Sequence, residues 1–354
     1  MSQAVNPAMI VLARESRGIT QLDLAEHLSI TQGHLSKLET GYLNVSPDML
    51  TALAKELNFP ESFFYINYEV YPAKTPYYRK HKTLPKKELD QIVAWMNIHR
   101  FHVIQLLQSA EVEYSPLPQC DLDDYEGSPA KVAAAVREYL KLPSGPIKSM
   151  TDVIEDAGIL VIPFKAGSRK FAGASMEATR PNYVILINED MPGDRMRWTL
   201  AHELGHLVMH RLPSETMEEE ADEFASEFLM PTREVAPYLT NLDPQKLAGL
   251  KQYWKTSIFS IVVHANRLGY LPDRQYRTMI TKLAQLGITR TQEPPELAIP
   301  RETPSLLKEL IEYHSKDLGF SPAQMSSLLW LNSEEYLQTY KVKGNHLRLV
   351  QAAG

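Results

Sequence analysis

The spacing of hydrophobic positions predicts a run of short helices from residue 7 to about residue 66. Met9, Leu12 and Ala13 share one helical face, and Gly18 ends that helix. Thr20 stands where its side chain can cap a second helix, whose apolar residues follow at helical spacing. Three more helices of similar size are expected in this stretch. The pattern therefore predicts a helical domain at the amino terminus.

A different pattern begins at Pro129 and predicts a mixed α and β body. Two helices, ending near Leu140 and Ala157, come first. Two long helices follow later, at 193–211 and 217–230, and Pro231 closes the second of them. Between these helix pairs lie three β-like runs, at 159–163, 171–176 and 183–188.

Proline-rich segments separate these patterns along the chain. YSPLPQCDLDDYEGSP marks a boundary before the mixed body, and ITRTQEPPELAIPRETPS predicts a linker or an extended strap after it. The last 50 residues look helical. We expect a multidomain, mainly α protein with an α+β core. The predicted divisions are a helical domain at 1–66, a basic connector with a helix at 67–128, the mixed body at 129–290, and a Pro-rich linker with a helical region at 291–354.

The carboxyl-terminal region repeats part of the amino-terminal pattern. The segments GITQLDLAEHLSITQGHL, from Gly18, and GFSPAQMSSLLWLNSEEYL, from Gly319, both start with Gly, an apolar residue and a hydroxyl cap. Their apolar residues then match in the pairs Leu24/Met325, Leu28/Leu329, Ile30/Leu331 and Leu35/Tyr336. The match predicts two copies of one helix-turn-helix shape. Because Glu334 and Glu335 of the second copy would repel phosphates, we expect the tail to be structural or partner-binding.

Composition and charge exclude several classes of protein. The chain has 354 residues, 44% hydrophobic and 23% charged, which is typical of globular proteins and unlike disordered or coiled-coil chains. Its one cysteine, Cys120, excludes an intramolecular disulfide framework and a cysteine-rich zinc site, so any metal must be held by His, Asp or Glu. No apolar run approaches the ~20 residues of a membrane span, and no signal peptide is evident. We expect a cytoplasmic protein with no membrane partner.

Residues 19–41 meet the requirements of a helix that reads DNA in the major groove and of the helix that precedes it. Polar side chains occupy the first turns of a second helix, while Leu35 and Leu38 face inward and Thr31 can cap it. The pattern resembles the Cro/CI-type (XRE) helix-turn-helix family over residues 7 to about 62. The resemblance implies a DNA operator as partner, and such proteins bind paired half-sites, so a homodimer is expected. The candidate DNA contacts are Gln21, Thr31, Gln32, Gly33, His34, Ser36 and Lys37.

Charge leaves the role of this amino-terminal domain open. Residues 1–66 hold four basic and seven acidic residues, which does not favour phosphate binding. In the connector that follows, the 14 residues 74–87 hold six basic residues and no acid, and they include Tyr77 and Tyr78. It is either an arm along the phosphates or a solvated strap between domains. The alternative for the domain itself is a dimerisation or partner-binding module. The six basic residues are Lys74, Arg79, Lys80, Lys82, Lys86 and Lys87.

The segment TLAHELGHLVMH, from Thr199, contains the strongest chemical signal. Two histidines four residues apart on a helix, His202 and His206, can bind one zinc ion, and Glu203 can act as general base. His210 lies on the same helical face, but about 12 Å along the axis from His202, too far to bind the same ion. We interpret it as a surface histidine or one that supports a metal ligand.

A catalytic zinc ion needs a third protein ligand, and the acidic run EEEADEFASEFLMP, from Glu218, offers candidates. Helical geometry turns Glu218 closest to the buried face, Glu220 less and Glu219 least. Asp222, one turn later, is placed to accept a hydrogen bond from a ligating histidine. The alternative is a solvated acidic face without a ligand.

The two segments together resemble the ImmA/IrrE family of zinc metallopeptidases over about residues 130–235, and WKTSI at 254–258 resembles its downstream part. The resemblance implies a zincin-like domain with His202, His206 and Glu218 as ligands and Glu203 as base. Members of the family often cleave helix-turn-helix repressors, and some are fused to an XRE domain.

The combination predicts a DNA-binding transcriptional regulator with a zinc-dependent endopeptidase domain, which cleaves a repressor or itself. A second hypothesis is a transcription factor whose peptidase-like domain senses metal or ligand without turnover. A third is an antitoxin-like or phage-type regulator that acts through protein contacts.

Overall fold

The structure of the protein is a computed structural model that describes residues 4–71, 84–110, 117–168, 170–179, 182–212 and 214–340. These residues form two compact units. The first unit contains the described parts of 1–75, 84–111 and 307–354, and the second contains those of 112–306. Helices predominate and one small sheet lies in the second unit, which confirms the predicted fold class. Within the described ranges, no helix is long and apolar enough to cross a bilayer.

Sixteen α-helices and three strands are found in the described ranges. The helices are α1 (Pro7–Ser16), α2 (Gln21–His27), α3 (Gln32–Glu39), α4 (Pro47–Glu56), α5 (Lys86–Leu107), α6 (Pro129–Tyr139), α7 (Met150–Asp156), α8 (Gly193–Met209), α9 (Met217–Leu229), α10 (Thr232–Val235), α11 (Pro244–Trp254), α12 (Ile258–Arg267), α13 (Asp273–Gln285), α14 (Leu306–Lys316), α15 (Pro322–Leu328) and α16 (Ser333–Thr339). The strands are β1 (Ile159–Phe164), β2 (Gly173–Thr179) and β3 (Asn182–Asn188).

The helix-turn-helix of the first unit is α2 and α3, and local sequence accounts for its shape. The Thr20 side chain accepts from the backbone of Asp23, whose carboxylate accepts in turn from Thr20 N–H, so a capping box starts α2. Ser29, with φ 54°, makes the turn, and the Thr31 side chain caps α3. Leu35 in α3 is buried, and the opposite face of this helix is exposed.

Helices α15 and α16 repeat the arrangement of α2 and α3. Gly319 has φ 73° where Gly18 has φ 63°, and Trp330 makes the turn with φ 51° as Ser29 does. A capping box starts α15, as it starts α2. In both copies the chain after the turn donates back to the preceding helix, from Ile30 N–H to α2 in one and from Leu331 N–H to α15 in the other. The predicted second helix-turn-helix shape is therefore present in the structure.

The division into units differs from the four predicted divisions. Helix α5 lies in the first unit, where it packs against α1, although the sequence placed it in a connector. Helices α15 and α16 also belong to the first unit, although the sequence predicts a separate division for residues 291–354. Contacts between segments far apart in the sequence decide which helices form one unit. The hydrophobic pattern within a single segment does not predict those contacts.

The second unit is built around a three-stranded sheet of order β1-β3-β2. Strand β3 pairs in parallel with β1 and antiparallel with β2. Helix α8 packs against β2, β3 and α9. Gly205 permits the close approach of α9, because a side chain there would lie 3.0 Å from the ring of Phe224. Helix α8 thus lies between the sheet and α9, in contact with both.

The Pro-rich segment after α13 is a strap within the second unit. Glu302 forms an ion pair with Arg197 of α8 and accepts from Thr151 N–H and Oγ1 at 2.7 and 2.6 Å. A side chain at Gly193 would clash with the carbonyl oxygens of Ile299 and Pro300, so the strap crosses the start of α8 at a glycine. Of the two predicted forms, linker or strap, the structure shows the strap.

Candidate metal centre and nucleic-acid interface

Three side chains from α8 and α9 converge on one point in the second unit. His202 and His206 lie one turn apart on α8, and their Nε2 atoms are 3.0 Å from each other. Glu218, in the first turn of α9, brings its two carboxylate oxygens to 3.5 Å from the Nε2 atoms of His202 and His206. Both histidines are buried and Glu218 is partly exposed.

These separations suit one tetrahedral zinc ion. Zinc binds imidazole nitrogen and carboxylate oxygen at about 2.0–2.2 Å, which places tetrahedral ligand atoms roughly 3.3 Å apart. The 3.0 Å between the two Nε2 atoms, and the 3.5 Å from each Nε2 to a different oxygen of Glu218, lie on either side of that value. Three protein ligands leave a fourth position, as catalytic zinc sites do. The donor set therefore fits the metal that the sequence predicted.

Glu203 follows the first of the two histidines, and a strand holds its carboxylate in place. The Ser175 hydroxyl of β2 donates a hydrogen bond of 2.7 Å to Glu203 Oε2. Both side chains are buried. The Ser175 contact was not predicted, because it joins residues 28 positions apart and only the packing of α8 on β2 creates it.

The outer nitrogen of each histidine has a different partner. His202 Nδ1 lies 2.8 Å from Asp222 Oδ1, where the sequence placed this carboxylate. His206 Nδ1 lies 2.9 Å from Nδ1 of His210, a histidine rather than a carboxylate. A hydrogen bond at the outer nitrogen orients a metal-binding imidazole. The structure thus brings together the predicted ligands and a partner for each ligating ring.

His210 is the residue whose position the sequence left most open. It is buried rather than at the surface, and its Nε2 lies 2.8 Å from Glu220 Oε2. Burial, and then the neighbouring His206, lower the pKa of His210. The helical angle of Glu220 is less inward than that of Glu218, so the sequence does not predict this contact. It depends on the position of α9 beside the end of α8.

The predicted DNA-contacting face lies on the outside of α3 in the first unit. Gln32, Gly33, His34 and Lys37 are exposed, and Ser36 is partly exposed. Thr31 is also exposed, and its hydroxyl accepts from His34 N–H at 3.2 Å. The first turn of α3 has no acidic residue. These side chains are accessible to a ligand, as a base-reading surface requires.

A hydrogen-bonded chain links α2 to this face. The Gln32 side chain donates to Gln21 Oε1 at 3.2 Å, and Gln21 donates to Glu39 Oε2 at 2.8 Å. Glu39 in turn accepts from Arg14, whose Nε lies 2.6 Å away. The chain restricts the two glutamine side chains before any DNA is bound.

Four of the connector's six basic residues lie outside the described residues. Lys74, Arg79, Lys80 and Lys82, with Tyr77 and Tyr78, fall in the range 72–83. The described Lys86 and Lys87 begin α5, where Lys86 Nζ lies 3.5 Å from Asp90 Oδ2.

Comparison with protein families identifies the domains that carry these two sites. A helix-turn-helix family model matches residues 10–64, and the IrrE N-terminal-like domain model of the Peptidase_M78 family matches residues 154–266. The chain therefore carries an XRE-type helix-turn-helix domain followed by an IrrE N-terminal-like domain. The second model belongs to a family of zinc metallopeptidases. No curated protein matches the chain.

These matches confirm the two predicted family resemblances and their order. At the level of the family, the helix-turn-helix match indicates a DNA-binding regulator, and the Peptidase_M78 match indicates a metallopeptidase-like domain.

Proposed function

We propose that this protein is a DNA-binding transcriptional regulator with a zinc-dependent endopeptidase domain, acting in the cytoplasm. The observation that carries the proposal is the convergence of His202, His206 and Glu218 beside Glu203, in a chain that also exposes the first turn of α3. A repressor protein, or this protein itself, is the proposed substrate. The proposed DNA partner is an operator with paired half-sites, bound by a homodimer.

The metal would be held by His202 Nε2, His206 Nε2 and a carboxylate oxygen of Glu218. Zinc, when bound at such a site, polarises a peptide carbonyl and lowers the pKa of a water molecule. Glu203 then accepts the proton of the attacking water and returns it to the leaving amine as general base and general acid. Ser175 holds one oxygen of this carboxylate, which keeps the carboxyl group oriented. Asp222 orients His202 through its Nδ1.

Removal of the general base tests the peptidase activity. Glu203→Gln keeps the shape of the side chain but cannot accept the proton, so cleavage should fall by about 10²–10⁴-fold. The measurement is cleavage of a co-expressed helix-turn-helix repressor and of the protein itself, by wild type and variant. Glu219→Gln, an exposed acid on α9, is the matched control and should leave cleavage unchanged.

Metal content distinguishes the alternatives. One zinc ion per chain is expected in the wild type, and its removal with a chelator should abolish cleavage. A purified protein without stoichiometric metal, or Glu203→Gln with full activity, would contradict the endopeptidase proposal. Zinc binding with no cleavage, and regulation unchanged in Glu203→Gln, would instead support the sensor hypothesis.

A further inference from the structure

The two ligating histidines differ in the groups that hold their outer nitrogens. His202 Nδ1 contacts a carboxylate directly, whereas His206 Nδ1 contacts another imidazole. That imidazole, His210, contacts Glu220, and Thr216 donates to the other oxygen of Glu220 at 2.7 Å. A chain of polar contacts therefore runs from the metal site to exposed Thr216.

Hydrogen-bond chemistry allows one arrangement of protons along this chain when His206 binds a metal. His206 must keep the lone pair of Nε2 for the metal, so its proton is on Nδ1. The Nδ1 of His210, 2.9 Å away, must then accept this proton's hydrogen bond. A neutral His210 that accepts at Nδ1 carries its own proton on Nε2, where Glu220 Oε2 lies 2.8 Å away to accept it.

We propose that His210, held by Glu220, is a positioning residue that keeps the His206 ring oriented with its proton on Nδ1 and its Nε2 directed at the metal site. The inference rests on the proposed metal-dependent function and deepens it. His210 does not bind the metal itself, because its two nitrogens face His206 and Glu220.

The arrangement distinguishes this role from simple core packing. Each nitrogen of buried His210 meets a polar atom within hydrogen-bond distance, and the far partner comes from a different helix. An apolar side chain of similar size would fill the same volume but leave His206 Nδ1 without an acceptor. Residues that orient a metal-ligating imidazole typically contribute 10–100-fold to metal affinity.

The test compares zinc affinity among full-length variants by competition with a chromophoric chelator. His210→Phe removes the acceptor and should weaken zinc binding by about 10–100-fold. His210→Gln supplies an amide oxygen for His206 and an amide N–H for Glu220, so most of the affinity should return. Glu220→Gln should lose less than His210→Phe, because its amide oxygen still accepts. Glu219→Gln is the matched control on the exposed side of α9 and should bind as the wild type does.

A second measurement needs no metal. The Glu220 carboxylate favours the His210 proton on Nε2 even without metal, which leaves His210 Nδ1 to accept from His206. The ¹⁵N chemical shifts of the histidine rings in zinc-free wild type should therefore show His206 with its proton on Nδ1 and His210 with its proton on Nε2. His210→Phe should shift His206 toward a mixture of both tautomers. This readout responds to proton position, which a purely packing role would not alter.

The outcomes separate this inference from the proposed function. Wild type that binds no zinc contradicts the proposed function, while the ring shifts still judge the role of His210. Wild type that binds zinc, with His210→Phe binding equally well, overturns only the positioning role. If His210→Phe does not fold, His210→Gln and the wild-type ring shifts decide, and a His206 proton on Nε2 overturns the inference.

Discussion

The two helix-turn-helix copies of the first unit have similar turns and caps and differ in what their second helices contact. In the first copy, the residues at the start of α3 are exposed. In the second copy, Glu335 of α16 binds the Arg17 guanidinium with both oxygens, at 2.5 and 2.8 Å. The Asn332 side chain, which precedes α16, donates to Asn58 Oδ1 at 2.7 Å instead of capping its own helix. Two positions at the start of the second copy's helix, Asn332 and Glu335, thus contact other parts of the first unit, while Ser333 and Glu334 stay exposed.

This difference shows that the helix-turn-helix shape and the chemistry of its reading helix are separate properties. Buried positions such as Leu24 and Met325 specify the shape, and both are fully buried. Exposed positions specify the partner. The first turn of α16 carries Glu334 and Glu335, whereas that of α3 carries no acid, so only the first copy suits a phosphate backbone.

The largest expected effect comes from emptying the two equivalent core positions. Leu24→Ala and Met325→Ala should each cost about 2–5 kcal/mol of unfolding free energy, because each leaves a cavity in a fully buried site. Hydrogen exchange of the peptides that cover each copy measures the loss locally. If Met325→Ala costs far less than Leu24→Ala, the second copy is not a packed equivalent of the first.

Reversing the charge at the docked helix should have the next largest effect. Glu335→Arg removes the hydrogen bonds to Arg17, and hydrogen bonds to charged groups contribute about 1.5–3 kcal/mol. Repulsion between the two guanidinium groups adds to this loss. Glu334→Arg, at the exposed neighbouring position, is the control and should change the free energy of unfolding little. Equal losses for the two variants would show that α16 does not depend on this contact.

Equivalent positions at the starts of α3 and α16 should differ in DNA binding. Gln32→Ala should weaken binding by about 1–3 kcal/mol, the range for a side chain that reads a base edge. Ser333→Ala, its counterpart and also exposed, should leave binding unchanged. The measurement is fluorescence anisotropy with a DNA site selected from a random pool by the wild type. Loss of binding with Ser333→Ala alone would reverse the assignment of the reading helix.

The smallest effects should come from the two helix caps. Thr20→Ala and Ser321→Ala each remove the side-chain acceptor of a capping box, at a cost of about 1 kcal/mol. Similar losses in thermal unfolding would support the equivalence of the copies. A loss at Thr20 alone would mean that packing around α15, and not its cap, holds the second copy.

Local pattern was sufficient to predict much of the first unit and the main elements of the second. The predicted β-like run at 183–188 is within strand β3 (Asn182–Asn188), and the predicted helices at 193–211 and 217–230 are α8 and α9. Caps, glycines and apolar spacing act within a few residues, so they can be recognised in one segment. The grouping of α5 and α14–α16 with the amino-terminal helices could not, since it depends on contacts between distant segments.

Some residues of the candidate metal site could likewise be predicted from the sequence, and others depend on tertiary contacts. His202, Glu203 and His206 lie within one helix, and their spacing alone indicated their chemistry. The angle around α9 was enough to prefer Glu218, whose carboxylate lies near both histidines. Ser175 carries no signal of its own in the sequence, and Glu220 had the weaker helical angle. The catalytic and ligand roles of these residues stay predictions until metal and cleavage are measured.

The sequence by itself determined which elements form and which residue types can bind metal or DNA, because periodicity, caps and motif spacing are local properties. Tertiary structure decided which partners those residues meet. The packing of α8 on β2 brings Ser175 to Glu203, and the packing of α9 on α8 brings Glu220 to His210. The docking of α16 brings Glu335 to Arg17 and Asn332 to Asn58. These contacts join residues far apart in the chain, where only the folded backbone sets the distance.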